Sequence, residues 1–350
     1  MTLFTRFIPL FFLSTFLKLG IPIAVNAVEP ENFRVGAYLP DYRINGDLNL
    51  NDTAPFLTDL MLFSAQPSQL SGDSMLNFCC LQSEHFELAR QARAFKEQIL
   101  VRDKKSPPLT LWLTVGGGGR SEHFLHDLDA LALAIESLAL KEKMDGVDLD
   151  CECFESSEDY RKYVTWIRKT TERLHSKGLL VSVALHAGQT LPSDLYKIID
   201  RVHLMTYDLP GEKFHAEQFA VGGAIHNLVQ SGCPRDRIIM GIPAYARHGE
   251  TASEVKTFHE LFDSRREKEG NSVYEDLDSF GEYEGYNGES PSSVRDKVKL
   301  AKEDSRVAGV FLWELGQDKR DNAVAKGGIL LEAMMGRIFA KKEQDVRDEL

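Results

Sequence analysis

From Arg34 onward, short apolar runs rich in β-branched residues alternate with longer stretches whose apolar positions recur near every 3.6 residues. The short runs predict strands at Val35 to Leu39, Asp59 to Ala65, Leu109 to Val115, Gly146 to Glu152, Leu179 to His186, Arg201 to Tyr207, Ile238 to Pro243 and Val307 to Trp313. The longer ones predict helices at Glu84 to Leu100, His123 to Leu140, Glu158 to Lys177 and Pro291 to Glu303, with Ser156 or Ser157 capping the third. Strands that are apolar almost throughout belong in a parallel sheet buried on both faces. Eight such units predict an α/β fold closed as a (β/α)8 TIM barrel, with an open doubly wound sheet as the alternative. Between the seventh and eighth strands, His248 to Arg306 leaves room for a helix and at most a short insertion.

The two ends of the chain depart from this alternation. Arg6, the apolar run Phe7 to Leu17 and the small-residue exit Val25-Asn26-Ala27 have the layout of a signal peptide over residues 1–27. An uncleaved anchor is the competing reading, but Lys18 and Pro22 interrupt the run before it reaches the roughly 20 residues a spanning helix needs. The barrel domain is then expected over 28–340, followed by a polar tail over 341–350. That tail ends Arg347-Asp348-Glu349-Leu350, similar to the KDEL and HDEL retrieval signals. Behind a signal peptide it points to the endoplasmic reticulum lumen and a retrieval receptor. Export to the extracellular space is the alternative.

Charge and cysteine content narrow the partners. With 53 acidic against 41 basic residues the net charge is −12, and the leader removes two cations and no acid. Such a surface repels nucleic acid and anionic membranes. A soluble mature domain of this length buries a large core without staples. The five cysteines, Cys79, Cys80, Cys151, Cys153 and Cys233, form no disulfide framework; one bridge from the Cys79-Cys80 loop to another top loop is conceivable, and at least one thiol stays free or bonds outside the chain. Cys151 and Cys153 lack the second ligand pair of a zinc site, so no metal or cofactor is expected, and Cys151 is read as a small buried apolar residue. The sequon Asn51-Asp52-Thr53 is a candidate glycosylation site in a lumen.

The chemistry concentrates in Met144 to Glu152. Strand side chains alternate, so Asp148, Asp150 and Glu152 share one face while Val147, Leu149 and Cys151 share the other. Three stacked acids repel one another and resist burial, so at least one is expected to hold a proton at neutral pH. In a barrel the reactive groups belong at the C-terminal strand ends, where Gly116 to Gly119, Met205-Thr206-Tyr207-Asp208 and Trp313-Glu314 also fall. The glycine run lacks the companions of a phosphate-binding loop. Aromatic rings around paired carboxylates describe a sugar site.

The same residues resemble glycoside hydrolase family 18, the chitinases and their relatives. Asp145, Gly146, Asp148, Asp150 and Glu152 fit the family's strand-four pattern Asp-Gly-x-Asp-x-Asp-x-Glu at every defined position. Val35 to Asp41, Thr114-Val115-Gly116-Gly117, Met205 to Asp208, Gly241 to Arg247 and Leu312 to Leu315 match its other strands, so the likeness spans Arg34 to about Gly336. It implies a retaining glycosidase cutting β-1,4 N-acetylglucosamine linkages. Glu152 would be the general acid/base. Asp150 would orient the substrate's acetamido group, which itself attacks the anomeric carbon, and Asp148 would share a proton with Asp150. Tyr207 would hold the acetamido oxygen and Trp313 would floor the cleaved sugar. Asp208, Met205, Tyr38, Gly117, Tyr245 and Arg247 would be further substrate contacts.

Two departures stand out: Thr114 replaces the usual Ser, and Gly118 stands where many relatives carry an aromatic. The short stretch between strands seven and eight implies a shallow cleft, and the lack of a separate binding module favours soluble chains over crystalline chitin. Three functions remain open on the letters alone: hydrolysis of chitin oligosaccharides, cleavage of the chitobiose core of N-glycans, and lectin-like binding without turnover. Lectin-like relatives typically lose the acid that is present here as Glu152.

Overall fold

The computed structural model describes residues 33–336 apart from 45–48, 69–76, 101–106, 123, 126, 153, 155, 210–213, 252 and 323. The leader expected at 1–27 and the tail expected at 341–350 lie outside the described residues. The strands are β1 (Arg34–Pro40), β2 (Asp59–Ser68), β3 (Asn77–Cys79), β4 (Thr110–Gly116), β5 (Gly146–Asp150), β6 (Leu180–His186), β7 (Arg201–Met205), β8 (Ile238–Pro243), β9 (Tyr245–His248), β10 (Val255–Thr257), β11 (Glu282–Tyr283), β12 (Tyr286–Asn287) and β13 (Gly309–Trp313). The α-helices are α1 (Leu50–Thr53), α2 (Ser83–Leu100), α3 (Leu128–Lys141), α4 (Ser157–His175), α5 (Gln218–Gln230), α6 (Phe258–Glu269), α7 (Pro291–Lys299) and α8 (Ile329–Met334).

Eight parallel strands, β1, β2, β4 to β8 and β13, pair in sequence order, and the β1–β2 and β1–β13 ladders close the ring. The eight-stranded barrel read from the apolar runs is therefore the fold. Its strands are apolar on both faces because each is covered twice. Val147, Leu149 and their counterparts meet the helices, while Met61, Trp112, Ile239 and Phe311 fill the interior. Helix α4 shows how a surrounding helix docks. Ser156, the expected cap, accepts the Asp159 N–H at 3.1 Å, and Tyr163, Trp166, Ile167, Thr170 and Leu174 form the buried stripe. None of the described helices is long and apolar enough to cross a membrane.

The floor of the barrel is sealed by charge. Asp59 accepts two hydrogen bonds from Arg34 at 2.8 Å, one from Arg201 at 2.6 Å and one from the Trp112 indole at 2.9 Å. Burial alone would raise this carboxyl, but Arg201 and Arg34 hold it well below the usual range. Residues between β8 and β13 fold as a small unit against one side of the mouth. It contains α6 and a four-stranded antiparallel sheet, β10-β9-β12-β11, whose strands are two to four residues long. Segments that short carry no readable alternation.

At the chain's far end, buried Asp318 caps α8. Its carboxylate accepts the N–H groups of Leu330 and Leu331 at 3.0 and 2.9 Å, and that of Lys319 at 2.8 Å. Asp318→Ala leaves those buried donors unpaired. We expect it to lower unfolding free energy by about 2 kcal/mol or more, read by urea denaturation; an unmoved midpoint would mean that α8 is held by packing alone.

The cysteines correct two expectations. Cys151 is buried but disulfide-bonded, so it is not a simple apolar filler. Cys79 and Cys80 are free, as is Cys233, so no bridge runs from the Cys79-Cys80 loop. Burial pushes the Cys233 thiol up to about 12.

Candidate active site

Strand β5 ends at Asp150, two residues earlier than the alternation predicts, and Glu152 follows on irregular backbone. The three acids nevertheless climb one face in graded exposure. Asp148 is 0% exposed, Asp150 is 3% exposed, and the Glu152 side chain is 27% exposed. Asp150 and Glu152 line a cavity of about 260 Å³ at the barrel mouth, with Tyr38, Phe63, Met205, Tyr207, Asp208 and Trp313 among its other walls.

Asp148 lies beneath the cavity in a saturated network. Its Oδ1 accepts from Ser182 at 2.6 Å and lies 3.3 Å from His203 Nδ1, while Oδ2 accepts from Tyr38 at 2.8 Å and from Thr114 at 3.2 Å. Burial would raise Asp148, but His203, Ser182 and Tyr38 outweigh it and keep the carboxyl below its ordinary value. Thr114 thus supplies the hydroxyl that a Ser would. Tyr38 lines the cavity while its hydroxyl is engaged by Asp148 and, at 2.7 Å, by His203.

Asp150 has the opposite environment. Burial, then the nearby charges of Glu152 and Asp148, push it well above the usual carboxyl range, and its Oδ1 is buried without a hydrogen-bond partner among the described residues. Of the three stacked acids, Asp150 is thus the one whose surroundings favour keeping a proton. Asp148 acts on Asp150 through its charge, since its own oxygens are committed elsewhere. The backbone on either side is pinned, with the Asp150 carbonyl accepting the Gly117 N–H at 2.6 Å.

The aromatic walls interlock above these acids. Trp313 stacks on Tyr207 with ring centroids 6.4 Å apart and an interplanar angle of 21°, and meets the Phe63 ring edge-on at 4.9 Å. Burial, with Tyr245, Asp150, Asp208 and Glu152 adding to it, raises the Tyr207 hydroxyl well above its usual value, so it remains a hydrogen donor at working pH. Asp208, in the left-handed region at φ 56°, accepts from Arg247 at 2.5 Å and lies 3.3 Å from His215 Nδ1. Those partners overcome burial and hold Asp208 far below the usual carboxyl range. Arg247 and Tyr245 thus stand behind Asp208, outside the cavity lining.

Gly117 is also outside the lining but shapes it. At φ 98°, a Cβ there would lie 2.3 Å from the Phe63 ring. Gly117→Ala is expected to cost about 2 kcal/mol or more and to displace Phe63; an unchanged unfolding midpoint would show that the ring yields freely. Gly118, by contrast, leaves space beside Glu152, the nearest carboxyl oxygen being 3.6 Å from a Cβ built there.

The sequence reading missed two histidines. His203 supports Asp148 from below, and His186 Nε2 lies 3.2 Å from Glu152 Oε2 at the mouth. The strand pairing, which the letters alone do not give, accounts for the second. Asp148 bonds Ser182, 34 residues on, and the same offset carried past the last β5–β6 rung sets Glu152 opposite His186. Among the described residues no group of three or more His, Cys, Asp or Glu side chains is placed to hold a metal.

Comparison with known proteins gives concordant results. The class V chitinase CHIT5a of Medicago truncatula is 23% identical over 274 residues, covering 61% of this chain and 71% of that one. The chain spans 10% and 37% of two probable chitinases of Drosophila melanogaster. Among solved structures, the GH18 chitinase ChiB from the chitin utilization locus of Flavobacterium johnsoniae superposes with a TM-score of 0.69 at 18% identity, covering 87% of this chain and 94% of that one. A GH18 chitinase from Cycas revoluta in complex with (GlcNAc)3 gives 0.66 at 19% identity, covering 87% and 99%. These likenesses show the barrel fold. The sequence profile described as glycosyl hydrolases family 18 matches residues 52–318, well over half of the chain. The protein is a glycoside hydrolase and belongs to glycosyl hydrolases family 18.

Proposed function

We propose that the protein hydrolyses β-1,4 N-acetylglucosamine linkages of the chitin type by a retaining, substrate-assisted mechanism. The observation that carries this reading is Asp150: a buried, electrically uncompensated carboxyl with an unpartnered oxygen, beside Glu152 and under the Tyr207–Trp313 stack. A buried orphan oxygen has a strong demand for a polar partner. The N–H of an acetamido group meets that demand. The apolar face of a sugar ring suits Trp313, and the Tyr207 hydroxyl suits the acetamido oxygen.

In this mechanism Glu152 gives its proton to the glycosidic oxygen while the substrate's own carbonyl oxygen attacks the anomeric carbon. The C–O bond to the leaving sugar breaks, its oxygen takes the proton, and an oxazolinium forms. Asp150 and Glu152 share one proton: with substrate bound it rests on Glu152, the group that donates it, and Asp150 is the carboxylate that stabilises the positive ring across the N–H contact. Glu152, now a carboxylate, takes a proton from water as that water opens the oxazolinium. Two inversions give net retention.

The leader over 1–27 and the terminal RDEL support a place in the endoplasmic reticulum lumen. That location makes the chitobiose core of N-glycans a second substrate of the same linkage. The test is product analysis on chitooligosaccharides beside a high-mannose glycopeptide. Release of product with the β anomer formed first supports the reading. Binding of both substrates without turnover would replace it with a lectin.

A further inference from the structure

We propose that His186 is a positioning residue for Glu152: its Nε2–H holds the carboxyl in the cleft and, as imidazolium, stabilises the carboxylate left after proton transfer. This rests on the acid/base role proposed above for Glu152.

The geometry begins with the backbone. His186 is the last residue of β6, in register with Met205 of β7, and its N–H is held by Gln189 Oε1 at 2.9 Å. The Gln189 N–H returns to the His186 carbonyl at 2.9 Å, closing a tight local turn. This turn fixes the imidazole on the cavity wall, where Nε2 meets Glu152 Oε2 at 3.2 Å. Glu152 has a second anchor, its backbone N–H donating to Ser121 Oγ at 3.2 Å. The main chain is therefore tied to the β4 loop and the carboxyl group to β6.

The charges around the ring favour its protonated form. Glu152 and Asp150 face it from the end of β5, and Asp208 from the end of β7, where Arg247 of β9 already neutralises part of its charge. Arg120 also lines the cavity, and it is paired with Asp41 at 2.6 Å. The hydrogen bond to Glu152 outweighs partial burial and, with the charges of Glu152 and Asp208, raises His186 above the usual histidine value. The side chain is 49% exposed, so solvent screens this pair and the effect is modest.

The chemical consequence is directional. An imidazolium beside the carboxylate lowers the energy of the state reached after proton donation, making donation easier and eroding the acid's proton supply as pH rises. Removing the cation should prolong that supply to higher pH.

Two measurements test this. The first is the NMR titration of His186 in full-length wild type and in Glu152→Gln. We expect titration above 6.5 in wild type and a fall of about half a pH unit or more in the variant. The second is the pH profile of kcat/KM on a fluorogenic chitotriose. His186→Ala should lower kcat about tenfold, and His186→Gln, which keeps a donor but no charge, should restore most of it. In both, the alkaline limb should move up by roughly half a pH unit. Identical titration in wild type and Glu152→Gln, or an Ala variant with wild-type kcat and pH profile, overturns the proposal. Inactivity of wild type on every oligosaccharide overturns the functional reading instead, and the titration still decides whether the two side chains are coupled.

Discussion

A Glu152→Gln enzyme is expected to hydrolyse a fluorogenic chitotriose at least about 10³-fold more slowly than wild type, with its unfolding transition unmoved. The amide fills the same space and still faces His186, so the fold has no reason to respond. It has no proton to give to a departing alkoxide, however, and cannot later activate water. Because Glu152 is partly exposed and outside the strand, the loss should be confined to kcat with little change in KM. Equal rates would remove Glu152 from the mechanism and leave Asp150 as the acid by default.

The second large effect separates activity from stability. Asp150→Asn should reduce kcat by about 10²- to 10³-fold, since an amide cannot develop the negative charge that an oxazolinium requires. The same substitution should stabilise the protein at neutral pH. Burial, with the charges of Glu152 and Asp148, raises the folded-state value of Asp150 above its unfolded value of 3.8, so the unfolded chain loses this proton first as pH rises. Native stability therefore falls with rising pH through the window above 3.8, and an uncharged isostere escapes that fall. We expect a gain on the order of 1–2 kcal/mol at pH 7, shrinking as the pH approaches 3.8. A variant less stable than wild type at pH 7, or one with undiminished turnover, would contradict the environment described for this carboxyl.

The parts of this molecule that could be read from its letters are those governed by short periods. Doubly buried strands announce themselves as apolar runs, and the two-residue alternation placed Asp148, Asp150 and Glu152 on one face before any pairing was known. Their strand ended earlier than predicted because Cys151 and Glu152 make no ladder partners, a limit set by neighbouring strands. Helix α5 carries Gly222 and Gly223 mid-span, which obscures its helical propensity, and the mouth-side sheet has strands too short for any period. Contacts across the barrel were invisible for a different reason. Tyr38 and His203 reach Asp148 only once the ring closes, and Tyr245 and Arg247 reach Asp208 only through a loop crossing. The resemblance implies sugar contacts for Tyr38, Tyr245 and Arg247, and tertiary pairing gives each of them a neighbouring side chain to hold as well.

The sealed floor has a consequence for how the barrel meets acid. Asp59, surrounded by Arg34, Arg201 and the Trp112 indole, surrenders its negative charge only far below its unfolded value, whereas Asp150 at the opposite rim is neutral long before. Its stabilising contribution is complete above 3.8 and declines only as pH falls towards the folded value. The ion pairs around Asp59 therefore persist below the range in which ordinary carboxylates take up protons, so the floor should be among the last parts of the barrel to loosen in acid.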